Sequence, residues 1–399
     1  MIGHPAPGHV NPTLPLMAEL GRGGERVTYF ASDPFRPVVE AAGAGFRSYG
    51  PHELFERNLG RAGMLGGMAG LLQTTEEILP NLLAAVRAES PDYLLVEAHA
   101  VWGNLLTQIL GIPAVTLCSM FALSERMLSP ADLIAHLYGA APRQLALEGM
   151  AALGDYFETA RRLHRTYGTA CPGVIGFLAN PQRLNIVFTS REFQPGGELF
   201  DESFEFAGPQ VEGRVEPPDF PMEQLGGRPL ILVSMGTMYN DEPRFYRACF
   251  EAFGGSPYTV ALAVGRRVDC AGLGEPPANF VVRPYLPQVT LLQRASLFIT
   301  HGGINSAHEA MLHGVPMVVL PQSADHHIVA SQVERAGAGV VFDRSRVEAP
   351  RLLELAAQVL SNPEFRRKSA CMGETLRRAG GPARAAQAVF SFKKRAGIG

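Results

Sequence analysis

The sequence contains no run of 18 apolar residues, so no segment of it reads as a membrane-spanning helix. It has no CxxC pair, and its five cysteines (Cys118, Cys171, Cys249, Cys270, Cys371) are an odd number. Both facts argue against a disulfide scaffold or a cysteine-based zinc site and for a reducing, cytoplasmic compartment. It has no block of Lys or Arg, and 35 basic against 38 acidic residues leave a net charge of −3. Nucleic acid is therefore not an expected partner. No Gly-x-Gly-x-x-Gly follows a first strand, which weighs against a dinucleotide cofactor. The start, Met1-Ile2-Gly3-His4-Pro5, has neither a basic region nor an apolar one and does not read as a signal peptide.

What is present is length and alternation. With 399 residues, 46% of them hydrophobic, the chain can bury two cores. Short β-branched runs alternate with amphipathic stretches, the pattern of parallel sheets joined by crossover helices. In the first half Arg26–Phe30, Tyr93–Val96, Ala114–Leu117 and Leu184–Phe188 read as strands. Val10–Gly21, Thr74–Ala88 and His99–Leu110 read as helices, with further helices within 125–170. The chain enters a Gly/Pro loop after three residues, so a strand feeding that loop must be very short or begin before Met1. After a Pro-rich stretch the alternation restarts with strands at Leu230–Val233, Tyr258–Ala261, Phe280–Val282, Leu297–Ile299 and Met317–Leu320. Helices are expected near 243–253, 303–313, 325–336 and 350–360, with two more reaching about 393. The expectation is an α/β protein of two Rossmann-like domains, 1–208 and 229–380, facing a central cleft. Residues 209–228 form the linker, and a helix at 381–399 packs back on the first domain.

The densest chemical signal is Phe298-Ile299-Thr300-His301-Gly302-Gly303-Ile304-Asn305-Ser306-Ala307-His308-Glu309-Ala310. A strand ends near Ile299, a His-Gly-Gly turn follows, and a helix begins near Gly303. The first-turn N–H groups of that helix lack intrahelical partners and lie at its positive end, while the glycines allow a diphosphate to approach the backbone. His301, Asn305 and Ser306 add donors, and Glu309, one turn on, is placed to accept from a ribose diol. The alternative is a packed turn whose Ser and Asn merely cap the helix.

The segment 298–339 resembles the sugar-nucleotide signature of the UDP-glycosyltransferase superfamily, inverting enzymes of the two-Rossmann-domain GT-B fold. Within it the resemblance is greatest to bacterial macrolide-type glycosyltransferases. It extends over nearly the whole chain, through Gly8-His9-Val10-Asn11-Pro12-Thr13-Leu14-Pro15, Pro91-Asp92-Tyr93-Leu94-Leu95-Val96-Glu97, Thr189-Ser190-Arg191-Glu192-Phe193-Gln194-Pro195, Phe200-Asp201-Glu202-Ser203-Phe204, Val233-Ser234-Met235-Gly236-Thr237 and Tyr285-Leu286-Pro287-Gln288. The resemblance implies that Tyr285 stacks on the uracil, where the family usually has Trp, and that Gln288 reads the base edge. Ser234, Gly236 and Thr237 would touch the diphosphate with His301, Gly303 and Ser306, and Asn305 would lie near phosphate and sugar. Glu309 would hold the ribose, and Asp325 with His326 the sugar hydroxyls. The family's glucose users commonly carry Asp-Gln where this chain has Asp325-His326.

His9 is the candidate base, on a Gly turn before Asn11-Pro12 and of the residue type best suited to exchanging a proton near neutral pH. The family orients its base with an Asp; Glu97 stands there, one methylene longer, and is expected still to reach the imidazole. Met64 and Met68, in a Gly/Met stretch over Gly60–Leu72, and Phe121 are candidate contacts for an apolar acceptor, with plain packing an equal reading for the methionines. His308, Glu309 and His313 are spaced five apart rather than four, so they do not form a zinc helix, and no Asp-x-Asp occurs to hold a cation on a nucleotide-sugar. The Gly43-Ala44-Gly45 and Gly337-Ala338-Gly339 runs read as helix ends. The resulting expectation is an inverting, metal-independent hexosyltransferase that takes a UDP-sugar as substrate, needs no cofactor and glycosylates a natural-product hydroxyl. A same-fold sugar-nucleotide epimerase and a non-catalytic homologue serving as a partner protein are the alternatives. The sequence is silent on oligomeric state, and monomer and homodimer both stay open.

Overall fold

The computed structural model describes residues 1–59, 63–124, 127, 143–170, 173–211, 220–237, 240–266, 268 and 271–398. The chain forms two compact units, Met1–Glu212 with Ala379–Gly399, and Gly213–Arg378.

The first unit contains the strands β1 (Thr28–Ala31), β2 (Gly45–Ser48), β3 (Leu94–Glu97), β4 (Ala114–Cys118), β5 (Leu184–Val187) and β6 (Phe204–Phe206). β3 to β6 pair in chain order, β1 pairs with β2, and every pairing is parallel. Before the Gly/Pro loop, Ile2 alone makes strand-like pairings. Ile2 bridges Phe30 of β1 and Val96 of β3, its N–H donating to the Leu95 carbonyl at 2.8 Å while its own carbonyl accepts from Glu97 N–H at 2.9 Å. Gly3 follows because a Cβ there would lie 2.6 Å from the Tyr29 ring. β3, β4 and β5 are buried at every position, as parallel strands covered on both faces must be.

Several elements differ from the sequence expectation for identifiable reasons. The helix expected over Val10–Gly21 is broken into Pro7–Val10, a 3₁₀ turn at Asn11–Thr13, and Leu14–Arg22, because Pro12 and Pro15 supply no N–H to a continuous ladder. The helix expected from His99 starts at Val101, since the His99 backbone N–H is committed to the Glu97 carboxylate. The helix expected over Thr74–Ala88 runs Gly63–Glu89 and absorbs the described part of the Gly/Met stretch. Met68, Leu71 and Leu72 are buried there in one core with Trp102, Leu105 and Phe177. Met68 is thus a core residue in this structure, worth about 1.5–3 kcal/mol of burial. Of the helices expected in 125–170, Arg143–Tyr167 is described; residues 128–142 lie outside the described ones. The helix Gly381–Ala396 packs in the same unit on Leu14–Arg22, with Phe390 against Gly23 and Lys393 bonded to Glu25.

The second unit contains β7 (Leu230–Ser234), β8 (Thr259–Ala263), β9 (Phe280–Arg283), β10 (Ala295–Thr300), β11 (Met317–Val319) and β12 (Gly339–Val341). They form one parallel sheet in the order β12-β11-β10-β7-β8-β9. Helices Pro243–Phe253, Gln288–Leu292, Ile304–Leu312, Ala324–Arg335 and Ala349–Ser361 follow the strands. β2, β6 and β12 were not anticipated: each is three or four residues long, and none shows a fully buried apolar run. Both sheets reverse their strand order once, between Ile2 and β3 in the first unit and between β7 and β10 in the second. At such a point the loops leaving the two strands diverge, opening a crevice beyond their carboxyl ends. No helix among the described residues is long and apolar enough to cross a membrane.

Candidate active site

At the switch point of the first unit, the short helix Pro7–Val10 presents His9 and the end of β3 presents Glu97. His9 Nδ1 lies 2.9 Å from Glu97 Oε1, so the longer arm of Glu97 does reach the imidazole. Glu97 is fully buried, and its carboxylate collects further donors: the Ser119 hydroxyl at 2.6 Å, the His99 backbone N–H at 2.8 Å and the His99 ring at 3.4 Å. Burial alone would push the Glu97 carboxyl up, but the His9 and His99 rings and the hydrogen bonds they make hold it well below the usual carboxylate range. An ionised Glu97 accepts a hydrogen bond from the Nδ1–H of neutral His9, which leaves the ring's lone pair on Nε2. His9 keeps 18% of its side chain exposed, enough for a reactant to touch. His4 packs its ring edge-on to His9 at 4.6 Å and is held neutral chiefly by burial, then by the neighbouring His9. The result is an oriented imidazole over a buried anion, a geometry suited to accepting a proton from a hydroxyl.

The corresponding point of the second unit lies between the ends of β7 and β10. Gly236, two residues past β7, has φ +79, and a Cβ there would sit 2.6 Å from His301 Nε2. A Cβ on Gly303 would also sit 2.6 Å from that atom. The His301 ring is therefore held between two glycines, with His326 edge-on at 4.7 Å on a third side. Burial first, and His326 second, push its pKa down to about 3, so it is neutral at physiological pH; it hydrogen-bonds the Ser234 backbone. The helix Ile304–Leu312 starts from Gly303, which has no side chain to cap the first-turn N–H groups. An anion is the natural partner for them.

One turn into that helix, Gln288 donates to Ser306 Oγ at 3.1 Å and to Glu309 Oε2 at 2.6 Å. The residues expected to read base and ribose thus form one hydrogen-bonded group. Tyr285 is 41% exposed, with the Arg266 guanidinium 5.2 Å from its ring centroid. Asp325 opens the helix Ala324–Arg335 and accepts from the Ser323 hydroxyl; burial pushes its pKa up, but His326, Ser323 and backbone N–H groups outweigh that and lower it. His326 itself is buried and its pKa is lowered, first by desolvation.

Among the remaining expected residues, Thr237 is exposed beside Gly236 and Asn305 lies in the first turn of its helix. Phe121 is buried against Phe193, three residues beyond β4. The side chain of Met64 lies outside the described residues. Sequence reasoning missed His99, Ser119, His4, Asn240 and Arg266. Asn240 is buried and donates to the Gly236 carbonyl at 2.9 Å, bracing the β7 turn. Of these, His99 had a signal, the Glu-x-His spacing at a strand end. Ser119 had none, since only the pairing of Glu97 with Leu117 brings β4's exit beside β3's.

Residues 260–391 match the family described as erythromycin biosynthesis protein CIII-like, C-terminal domain. The chain is 34% identical, over 100% of its length and 98% of the relative's, to NDP-glycosyltransferase YjiC of Bacillus subtilis (strain 168). It is 31% identical to demethyllactenocin mycarosyltransferase of Streptomyces fradiae over 96% of this chain and 84% of that one. Among solved structures it is similar to the glycotransferase of kitacinnamycin, with TM-score 0.83 and 29% identity over 98% and 97% of the two chains. The calicheamicin glycosyltransferase CalG4 gives TM-score 0.80 and 29% identity over 98% and 96%.

Proposed function

This chain belongs to the UDP-glycosyltransferase superfamily, a glycosyltransferase of the GT-B fold, and on that premise we propose that it moves a hexose from a UDP-sugar to a hydroxyl of an apolar natural product, with inversion and without a metal ion. The contact on which this rests is His9 Nδ1 to Glu97 Oε1 at 2.9 Å. His9 Nε2 takes the acceptor's hydroxyl proton as the oxygen attacks the anomeric carbon from the face opposite the nucleotide. The imidazolium so formed is stabilised by the buried Glu97 carboxylate. The departing UDP is received by the first-turn N–H groups of Ile304–Leu312, with His301, Ser306 and Thr237 beside them. Fixed dipoles at that position do the work that a divalent cation does elsewhere, so turnover should survive EDTA.

For the donor, the base stacks on Tyr285, Gln288 reads its edge and Glu309 holds the ribose. Thymidine nucleotides lack the 2′-hydroxyl, and a lost charge-assisted hydrogen bond costs about 1.5–3 kcal/mol. UDP should therefore bind roughly ten- to a hundredfold more tightly than TDP. Glucose is the favoured sugar on the family's habit, with galactose second because His326 stands where glucose users carry Gln. The deciding experiment is mass spectrometry of reactions between UDP-glucose, UDP-galactose and TDP-glucose and a panel of macrolide, polyketide and flavonoid acceptors, with NMR of the product's anomeric configuration. Retained configuration, or donor turnover that ignores the acceptor, would exclude this reading. TDP-sugars outcompeting both UDP-sugars would remove Glu309 from ribose recognition. His326→Gln leaving the glucose-to-galactose ratio unchanged would remove His326 from the sugar site.

A further inference from the structure

We propose that His9, Glu97 and His99 bind a transition-metal dication of the Zn²⁺ class, and that the bound ion switches transfer off. One ligand atom from each of the three residues lies within 4.8 Å of the others. Glu97 Oε1 is 2.9 Å from His9 Nδ1 and 3.4 Å from His99 Nδ1. Two atoms at tetrahedral positions around Zn²⁺, each at about 2.0–2.2 Å, are about 3.4 Å apart. The His99 pair already has that spacing, and the His9 pair needs to open by about half an ångström. Two imidazole nitrogens and one carboxylate oxygen are a donor set for Zn²⁺ or Co²⁺, not for Mg²⁺ or Ca²⁺, which prefer oxygen alone. Ser119 Oγ, 2.6 Å from Glu97 Oε1 and 2.9 Å from His9 Nδ1, completes the surroundings as a hydrogen-bonding partner of the ligands. Glu97 is fully buried, but His9 and His99 keep 18% and 25% of their side chains exposed, which gives the ion a way in.

The consequence for transfer follows from proton bookkeeping in the imidazole and rests on the reading of His9 as the base. A neutral imidazole carries one proton and one lone pair on its two nitrogens. Hydrogen-bonded to Glu97, it keeps the proton on Nδ1 and the lone pair on Nε2. A metal on Nδ1 requires the lone pair there, so the proton resides on Nε2 and the ring can accept no other. No redox step or net proton change is involved.

The test is titration of EDTA-treated, desalted protein with Co²⁺, whose visible d–d absorption reports the ligand set without any assay of activity, followed by displacement with Zn²⁺. One equivalent should bind to the wild type at micromolar concentration, and the band should be lost in His99→Phe, His99→Gln and His9→Ala, each verified as folded by circular dichroism. Zn²⁺ should inhibit wild-type transfer in step with occupancy, EDTA should restore it, and His99→Gln should raise the inhibitory concentration at least about tenfold. No binding by the wild type, or an unchanged band in the variants, overturns the site. Binding at these ligands with transfer unimpaired upholds the site and overturns the role of His9 as base.

Discussion

Glu97 is an unusual residue to find fully buried: a carboxylate without compensation is costly to remove from water, and here four donors from three segments surround it. That arrangement makes the charge useful only if it acts on His9. His9→Ala should lower kcat by about 10²–10⁴-fold while the KM for the donor, whose proposed binding residues belong to the unit Gly213–Arg378, changes little. Glu97→Gln keeps the shape but removes the charge, and its amide can donate to Nδ1 and turn the lone pair the wrong way. The expected loss in kcat is at least about a hundredfold. Near-normal turnover of either variant on an ordinary alcohol acceptor would dissolve the pair as a catalytic unit. His9 and Glu97 could be singled out from sequence because the segments Gly8–Pro15 and Pro91–Glu97 resemble those that carry the base and its carboxylate in the glycosyltransferase family. Ser119 could not be joined to them, because what brings it there is the register of β3 against β4, in which Glu97 pairs with Leu117; His99, two residues past Glu97, was within reach of the sequence and was missed.

At the scale of elements, legibility followed burial. β3, β4, β5, β7 and β8 are buried nearly throughout and announce themselves as apolar runs, whereas β2 exposes three of its four residues and resembles a loop in composition. The strand–turn–helix from Ala295 to Leu312 was legible because its glycines have specific geometric work. Gly236 and Gly303 flank the His301 ring so closely that neither tolerates a Cβ, and the ring cannot retreat because His326 lies edge-on beside it. Gly236→Ala adds backbone strain at φ +79 to that clash. A displacement costing about 1.4–3 kcal/mol corresponds to a rise of roughly ten- to a hundredfold in the KM for the UDP-sugar. Gly43→Ala is the control: its φ is +81 but a Cβ there meets nothing within 4 Å, so it should cost stability and leave the donor KM alone. Equal effects of the two substitutions on KM would show that the crowding at His301 is irrelevant to donor binding.

At the scale of the whole molecule, buried neutral histidines tie stability to pH. His301 and His308, both in the unit Gly213–Arg378, are pushed from 6.5 to about 3, principally by burial. In the unfolded chain they titrate near 6.5. Between pH 6.5 and 3 the unfolded state therefore binds protons that the folded state refuses, and the stability of the folded state falls as pH falls. Each such group contributes about 1.4 kcal/mol per pH unit, so the pair removes about 3 kcal/mol for each unit below 6.5. Against a total stability of about 5–15 kcal/mol, two pH units are enough to threaten the fold. Glu97, whose pKa is lowered in the folded state, adds to the loss only below its unfolded value of 4.5, so between 6.5 and 4.5 the loss comes from the histidines and, down to about 5, from the Met1 amino group, which burial pushes from 8.0 to about 5. His4, depressed by burial in the first unit, acts in the same direction. Urea unfolding followed by far-UV circular dichroism should give a stability that begins to fall near pH 8, as the unfolded Met1 amino group takes up its proton, and falls more steeply from 6.5 to 5 as the histidines join it. His308→Gln, which cannot take up a proton in the unfolded state, should lower the slope by about 1.4 kcal/mol per pH unit, whatever it does to stability at pH 8. A slope identical to wild type would mean that His308 is protonated in the folded protein, and that its burial does not carry the electrostatic cost assigned to it here.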